Sequence, residues 1–214
     1  MNSEAHPFEL GKNRIEALSD GVFAIVMTIL VFNFKVPELP ADAQNVQLTP
    51  ALLALWPKFV TYGISFLSLG VFWIGHHMMY HTIQKADRTL LWLNIFFFMF
   101  VSILPFSASV VDAFLQTQIA PLFFGANIAM IGWLLVLQWV YASHQPDMMA
   151  PFVTPEFRTL VKNRILLAPA ATTLTMLICF WSVEISLVIY LLVLPLYMLP
   201  GKLARVNSRG LQPV

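Results

Sequence analysis

The chain has 214 residues, of which 58% are hydrophobic and only 11% charged, and its mean hydropathy is +0.75. Because a soluble domain carries about 25% charged residues, this composition predicts an all-α membrane protein and excludes a soluble catalytic domain. The net charge of +1 offers no basic patch for nucleic acid. From the composition, we expect one membrane domain over residues 1–214 that is not an enzyme.

The first predicted element is residues 14–37, which begin polar and then run apolar. Bulky apolar residues recur within it at alternating steps of four and three: Leu18, Val22, Ile25, Ile29 and Phe32. These steps place them on one side of a helix as a heptad seam. Two interpretations are open. Either the seam packs against other helices of its own subunit, or several copies meet on an axis and the seam lines a narrow hydrophobic pore.

Five further spans are predicted from apolar runs, most of them near the length needed to cross a bilayer. A loop covers residues 37–49, and the spans cover about residues 53–80, 90–111, 119–141, 165–183 and 185–199, the last being short. The polar segment 142–164 is expected to form a loop and a short interfacial helix. Tryptophans near the predicted span ends are typical of an aromatic belt at the membrane surface: Trp56, Trp92, Trp139 and Trp181.

An even number of spans places both termini on one side of the membrane, and the basic residues indicate which side. Most of them fall on the side of the termini: Lys12, Arg14, Lys85, Arg88, Arg158, Lys162, Arg164, Lys202, Arg205 and Arg209. Only Lys35 and Lys58 fall on the opposite side. By the positive-inside rule, both termini are expected to be cytosolic.

Asp20 is the first candidate for a functional polar residue, because an acid near hydrocarbon is costly unless it is paired or hydrated. The second span returns to the same face with His76, His77 and His81, so Asp20 is expected to pair with a histidine or with Arg14. Arg14 and Asp20 are six residues apart and do not share a helix face, which favours a contact between subunits or through a histidine. The alternative is a polar cluster that only anchors helix ends.

A metal site is weakly indicated by His77 and His81, which have the i, i+4 spacing of two ligands on one helical face. The glutamate of an H-E-x-x-H motif is missing, and no third ligand follows nearby. We therefore expect no metal and no cofactor. The first span has no second copy in the chain, which counts against a carrier built from inverted repeats.

The motif Arg14-x-x-x-Leu18-Ser19-Asp20 resembles the R-x-x-x-F-S-D signature on the first helix of the transmembrane protein 175 family of potassium channels. The likeness continues to residue 37 and into the histidine-rich end of the second span. Leu18 stands where the family usually has Phe and keeps a bulky apolar side chain.

The resemblance implies a homotetramer in the bilayer of a bacterial plasma membrane, with four first helices around a pore that has no P-loop filter. Potassium and other monovalent cations would pass through it as the permeant ions. Ile25 is implied to form the hydrophobic constriction. The resemblance also implies that Ile29 and Phe32 line the following layers and that Thr28 lies beside the selective region.

The resemblance further implies that Arg14, Ser19, Asp20 and His77 form a network that holds the first helices in register. Two other functions remain open from the residues themselves. A proton-coupled secondary transporter would use Asp20 and His77 as a proton relay. A membrane-embedded metal enzyme would be built on His77 and His81.

Overall fold

The computed structural model describes residues 12–42, 44–114, 116–145, 147–182, 185–186, 188–190 and 192. The predicted sixth span, residues 185–199, therefore lies mostly outside the described residues, as do the chain termini and the basic residues after position 200. The described elements are α1 (Lys12–Ile29) continued by a 3₁₀ turn (Leu30–Asn33), α2 (Gln44–Leu53), α3 (Trp56–Thr82), α4 (Arg88–Ala113), α5 (Ile119–His144) and α6 (Pro155–Cys179).

Within the part of the chain that the structure describes, four helical segments are long and apolar enough to cross a membrane: Asn13–Asn33, Trp56–Thr82, Arg88–Ala113 and Ile119–His144. The expected class, an all-α membrane protein with several spans, is thus confirmed. The described part of α6 is not among them. Its first half carries Arg158, Lys162 and Arg164, which lower its hydropathy below that of the other helices.

Local chemistry explains where two of the helices begin. The Asp87 side chain accepts a hydrogen bond from Leu90 N at 2.9 Å at the start of α4. The Thr154 hydroxyl accepts one from Phe157 N at 3.2 Å at the start of α6. Each cap satisfies a backbone N–H that the helix itself leaves without a partner.

Three expectations about the connections and the aromatic belt were wrong. Residues 44–49 belong to α2 rather than to a loop, since this run of six residues contains no glycine or proline that would interrupt a helix. The expected interfacial helix and fifth span form one continuous helix from Pro155. Trp139 cannot contact lipid headgroups as a belt residue would, because its side chain is buried within the protein and donates its Nε1–H to the Arg158 carbonyl at 3.2 Å.

Contacts between helix ends show that successive spans run antiparallel. At one end, the loop after α3 pairs with the loop before α6 through Ile83 and Met149, and the start of α4 accepts a hydrogen bond at Asp87 from Tyr141 of α5. Six of the described basic residues lie at this end: Arg14, Lys85, Arg88, Arg158, Lys162 and Arg164. We call this the basic end. The opposite end holds Lys35 and Lys58.

Candidate functional site

Two different stripes of α1 and its 3₁₀ turn face in different directions. One stripe is buried against α3 and α4 and consists of Ile15, Ser19, Phe23, Val26 and Leu30. Most of the heptad seam lies on another side and is exposed: Leu18 by 53%, Ile25 by 60%, Ile29 by 43% and Phe32 by 78%. The interpretation that the seam packs within its own subunit is therefore contradicted for the described part of the chain.

Thr28 lies beside this seam and presents an oxygen rather than a hydrogen to its surroundings. Its hydroxyl is exposed and lies 2.9 Å from the Ala24 carbonyl and 2.8 Å from the Ile25 carbonyl, to which it donates. Because the hydroxyl hydrogen is engaged with the backbone, the oxygen lone pairs are left to accept. The only polar side chain next to the exposed apolar seam between Gly21 and Phe32 is thus an acceptor, as a cation requires.

A buried polar chain joins α1, α3 and α4 near the basic end. Ser19 Oγ lies 3.1 Å from His76 Nδ1, and His76 Nε2 lies 2.8 Å from Asn94 Oδ1. The amide oxygen can only accept, so Nε2 carries a hydrogen, and in the neutral ring Nδ1 accepts from the Ser19 hydroxyl. All three side chains are nearly fully buried, so this chain fixes the position of α1 on the rest of the subunit.

Asp20 and Trp73 form a second, exposed contact between α1 and α3. The Trp73 indole donates its Nε1–H to Asp20 Oδ1 at 2.8 Å. The same indole stacks on the exposed His77 ring, with centroids 5.8 Å apart and planes at 28°. Arg14 is also exposed, and no hydrogen bond or ion pair joins it to another described residue. Of the four predicted network residues, Ser19 and Asp20 therefore contact α3, but neither contacts His77 directly.

The far end of α1 is held by another polar contact. Asn33 Nδ2 donates to the Pro105 carbonyl at 3.3 Å, and Ser109 Oγ donates to Asn33 Oδ1 at 2.8 Å. The next residue, Phe34, packs its ring against Phe59 with centroids 4.5 Å apart. Both ends of the first span are therefore attached to α3 and α4, while the exposed seam between them is left uncovered by the described chain.

Sequence reasoning named His76 only as one of three candidate histidines, and it missed Asn94, Trp73 and Asn33 as parts of the site. Asn94 and Asn33 had a detectable signal, since each is an amide within an otherwise apolar run. His76 differs from His77 only in which side of α3 it occupies, and Trp73 resembles any interfacial tryptophan. Among the described residues, no three His, Cys, Asp or Glu side chains come close enough to hold a metal ion.

Comparison with known proteins identifies relatives over most of the chain. A family profile described as endosomal/lysosomal potassium channel TMEM175 matches residues 14–105. A protein named a potassium channel from Streptomyces collinus is 31% identical over 178 residues, covering 81% of this chain and 85% of the relative. The mouse protein named endosomal/lysosomal proton channel TMEM175 is 32% identical over 160 residues, covering 67% of this chain and 31% of the mouse protein.

A solved structure shows the same fold. It is the crystal structure of a homolog from Chamaesiphon minutus, described as a lysosomal potassium-selective channel TMEM175 homolog. It superposes with a TM-score of 0.78 at 25% identity, and the match covers 87% of this chain and 96% of that one. The sequence motif, the helical bundle and these relatives all indicate the same protein family.

Proposed function

This chain belongs to the TMEM175 family of potassium channels, and from that premise we propose that it is a potassium-permeable cation channel of a bacterial plasma membrane. Its relatives are named as channels, not as enzymes, in agreement with the expected absence of catalysis. Six spans, cytosolic termini and assembly as a homotetramer belong to the proposal. The permeant ions are potassium and other monovalent cations, and no bound cofactor is required.

The single observation that carries this proposal is the exposed seam of α1. A helix needs only one apolar stripe to pack within its subunit, and α1 already buries the stripe that contains Phe23 and Leu30. The second stripe has the regular steps of four and three that helices use to meet one another. Four copies that meet along it form a pore walled by Leu18, Ile25, Ile29 and Phe32.

The polar residues at the basic end of α1 favour assembly over a lipid-facing seam. Arg14 and the second carboxylate oxygen of Asp20 have no hydrogen-bond partner among the described residues. Ionised groups near the hydrocarbon are costly when unpaired. Pairing Arg14 of one copy with Asp20 of the next would remove this cost and hold the four helices in register, with Ser19 and His76 fixing each helix to its own subunit.

In this pore, Ile25 forms the narrowest hydrophobic ring and Thr28 supplies acceptor oxygens one turn beyond it. A ring of isoleucine blocks ion passage by excluding water when it is narrow. It cannot replace a hydration shell as backbone carbonyls do, so selectivity for potassium over sodium is moderate. The exposed Thr28 oxygen is the group that contacts a partly hydrated cation.

The distribution of charge supports an orientation with the basic end in the cytosol. The basic end carries Arg14, Lys85, Arg88, Arg158, Lys162 and Arg164, whereas the opposite end has Lys35 and Lys58. The positive-inside rule places the basic end in the cytosol. The first helix then enters the membrane from the cytosol, and the Arg14–Asp20 contact lies at the cytosolic mouth of the pore.

The test is ion flux through the purified protein in liposomes, driven first by a potassium gradient and then by a sodium gradient. Ile25→Asn is expected to raise the potassium flux and to weaken its preference over sodium, because an amide keeps the constriction wet. Val31→Asn is the matched control, since Val31 is also exposed, by 50%, but lies about 120° round the helix axis from Ile25. Equal effects of the two variants would contradict the assignment of Ile25.

The same vesicles separate the channel from a transporter. Passive potassium flux without a proton gradient supports the channel. Uptake that saturates and requires a proton gradient would instead support a proton-coupled secondary transporter using Asp20. Because the mouse relative is named a proton channel, proton flux is recorded in parallel with a pH-sensitive dye inside the vesicles.

A further inference from the structure

An elongated cavity of about 310 Å³ lies between α3, α5 and α6, apart from the α1 seam and its polar contacts. Among the described helices, α6 packs along α5, whereas α3 hardly touches α6, and this separation creates the space. The cavity follows α3 from Phe66 to Thr82, a rise of about 24 Å at 1.5 Å per residue. One leaflet of the hydrocarbon core is about 15 Å thick, so the cavity is long enough to follow a whole lipid chain.

The walls of this cavity are apolar and one side is open. Phe72, Leu135 and Trp139 are buried at its floor, whereas Ile74 and Met78 are exposed at its rim. An apolar cavity without an occupant forfeits dispersion contacts along its whole lining. Because the rim residues belong to a membrane-spanning helix, a lipid acyl chain is the apolar occupant nearest to the opening.

The charge at one end of the cavity specifies the kind of lipid. Among the described residues that line the cavity, Arg164 is the only charged one, and it lies with Thr82 at the basic end. A guanidinium binds a phosphate group through paired, charge-assisted hydrogen bonds. Basic pockets between membrane helices on the cytoplasmic side are typical sites for anionic headgroups.

We propose that this cavity binds an anionic phospholipid, with one acyl chain along α3 and the headgroup phosphate on Arg164. A second copy of this chain is a poorer occupant, because in a parallel assembly it brings its own basic end to the same level. The proposal concerns a site separate from the pore and does not depend on which ion the protein conducts.

The experiment is native mass spectrometry of the purified full-length protein with phosphatidylglycerol or phosphatidylcholine added to the detergent. Wild type is expected to retain phosphatidylglycerol in preference to phosphatidylcholine. Arg164→Gln is expected to weaken phosphatidylglycerol binding about fivefold, the effect of one basic residue at an anionic headgroup. Lys162→Gln, an exposed residue of the same helix that does not line the cavity, is the matched control and should weaken binding less than twofold.

A second pair of variants tests the acyl-chain part of the site. Gly70 lines the cavity, and a Cβ at this position would meet no atom within 4 Å, so Gly70→Leu should fill the space and release both lipids. Gly63 has the same open surroundings on the same helix but does not line the cavity. Gly63→Leu therefore gains the same helix propensity and should retain the lipid.

A photo-crosslinking amino acid in place of Met78 identifies the occupant directly. A lipid adduct is the expected product. An adduct with a second subunit, or with the segment 193–214 of the same chain, would overturn the proposal. Equal retention of the two lipids by wild type, or unchanged retention by both Arg164→Gln and Gly70→Leu, would overturn it as well.

Discussion

Replacing Ser19 with alanine tests whether the buried polar chain holds α1 in place. The substitution removes the donor to His76 Nδ1, which lies 3.1 Å from Ser19 Oγ. His76 is almost completely buried, so no solvent replaces the lost partner. A buried group left without its hydrogen bond costs about 1–3 kcal/mol, and hydrogen bonds between membrane helices average about 0.6 kcal/mol with a maximum near 1.7. We therefore expect Ser19→Ala to lower the free energy of unfolding by about 1–2 kcal/mol.

The assay is thermal unfolding of the purified protein in detergent, followed by tryptophan fluorescence. For a chain of this size, about 1–2 kcal/mol corresponds to a fall in Tm of roughly 2–8 °C. Ser102→Ala is the matched control, because the exposed Ser102 hydroxyl only donates to the Phe98 carbonyl of its own helix at 2.7 Å. Its expected effect is within about 0.5 kcal/mol.

The partner on the other side of the histidine provides a further check. Asn94→Leu removes the 2.8 Å contact with His76 Nε2, and its effect should not add to that of Ser19→Ala, since both act on one imidazole. A Tm for Ser19→Ala equal to that of Ser102→Ala would refute the structural role of the chain. If the falls in Tm for Ser19→Ala and Asn94→Leu added strictly in the double variant, the two contacts would not be coupled through His76.

Three further outcomes are expected. Thr28→Val should reduce the preference for potassium over sodium in reversal-potential measurements, whereas Thr28→Ser should retain it because only the acceptor oxygen is needed. Asp20→Ala should lower the tetramer yield in size-exclusion chromatography, and a stable, conducting tetramer would remove its proposed role. Gly132→Ala should lower Tm by an amount equivalent to about 1–3 kcal/mol, because its Cβ would lie 3.0 Å from Pro169 Cβ of α6. Gly63→Ala, whose Cβ meets no atom within 4 Å, should show no such loss.

The class of the protein follows from the sequence because a bilayer requires each spanning segment to be apolar and long enough to cross it. Apolar runs of sufficient length predicted the first four spans within a few residues of their observed bounds. The motif from Arg14 to Asp20 identified the family, and the relatives confirm it. The heptad steps predicted a stripe on one side of the first helix, since side-chain direction on a helix depends on spacing, and four of its five residues are exposed, whereas Val22 packs partly against the core.

The tertiary structure decided which residues of each helix meet. Adjacent residues such as His76 and His77 differ by about 100° in direction, so only the position of α4 shows that His76 is the one buried against Asn94. Likewise, spacing alone left open which stripe of α1 packs within the subunit, and contacts with α3 and α4 place Phe23 and Leu30 inside and leave Ile25 outside. An apolar pattern indicates that one side of a helix is buried or faces the membrane. Which neighbouring helix that side packs against depends on contacts between residues far apart in the chain.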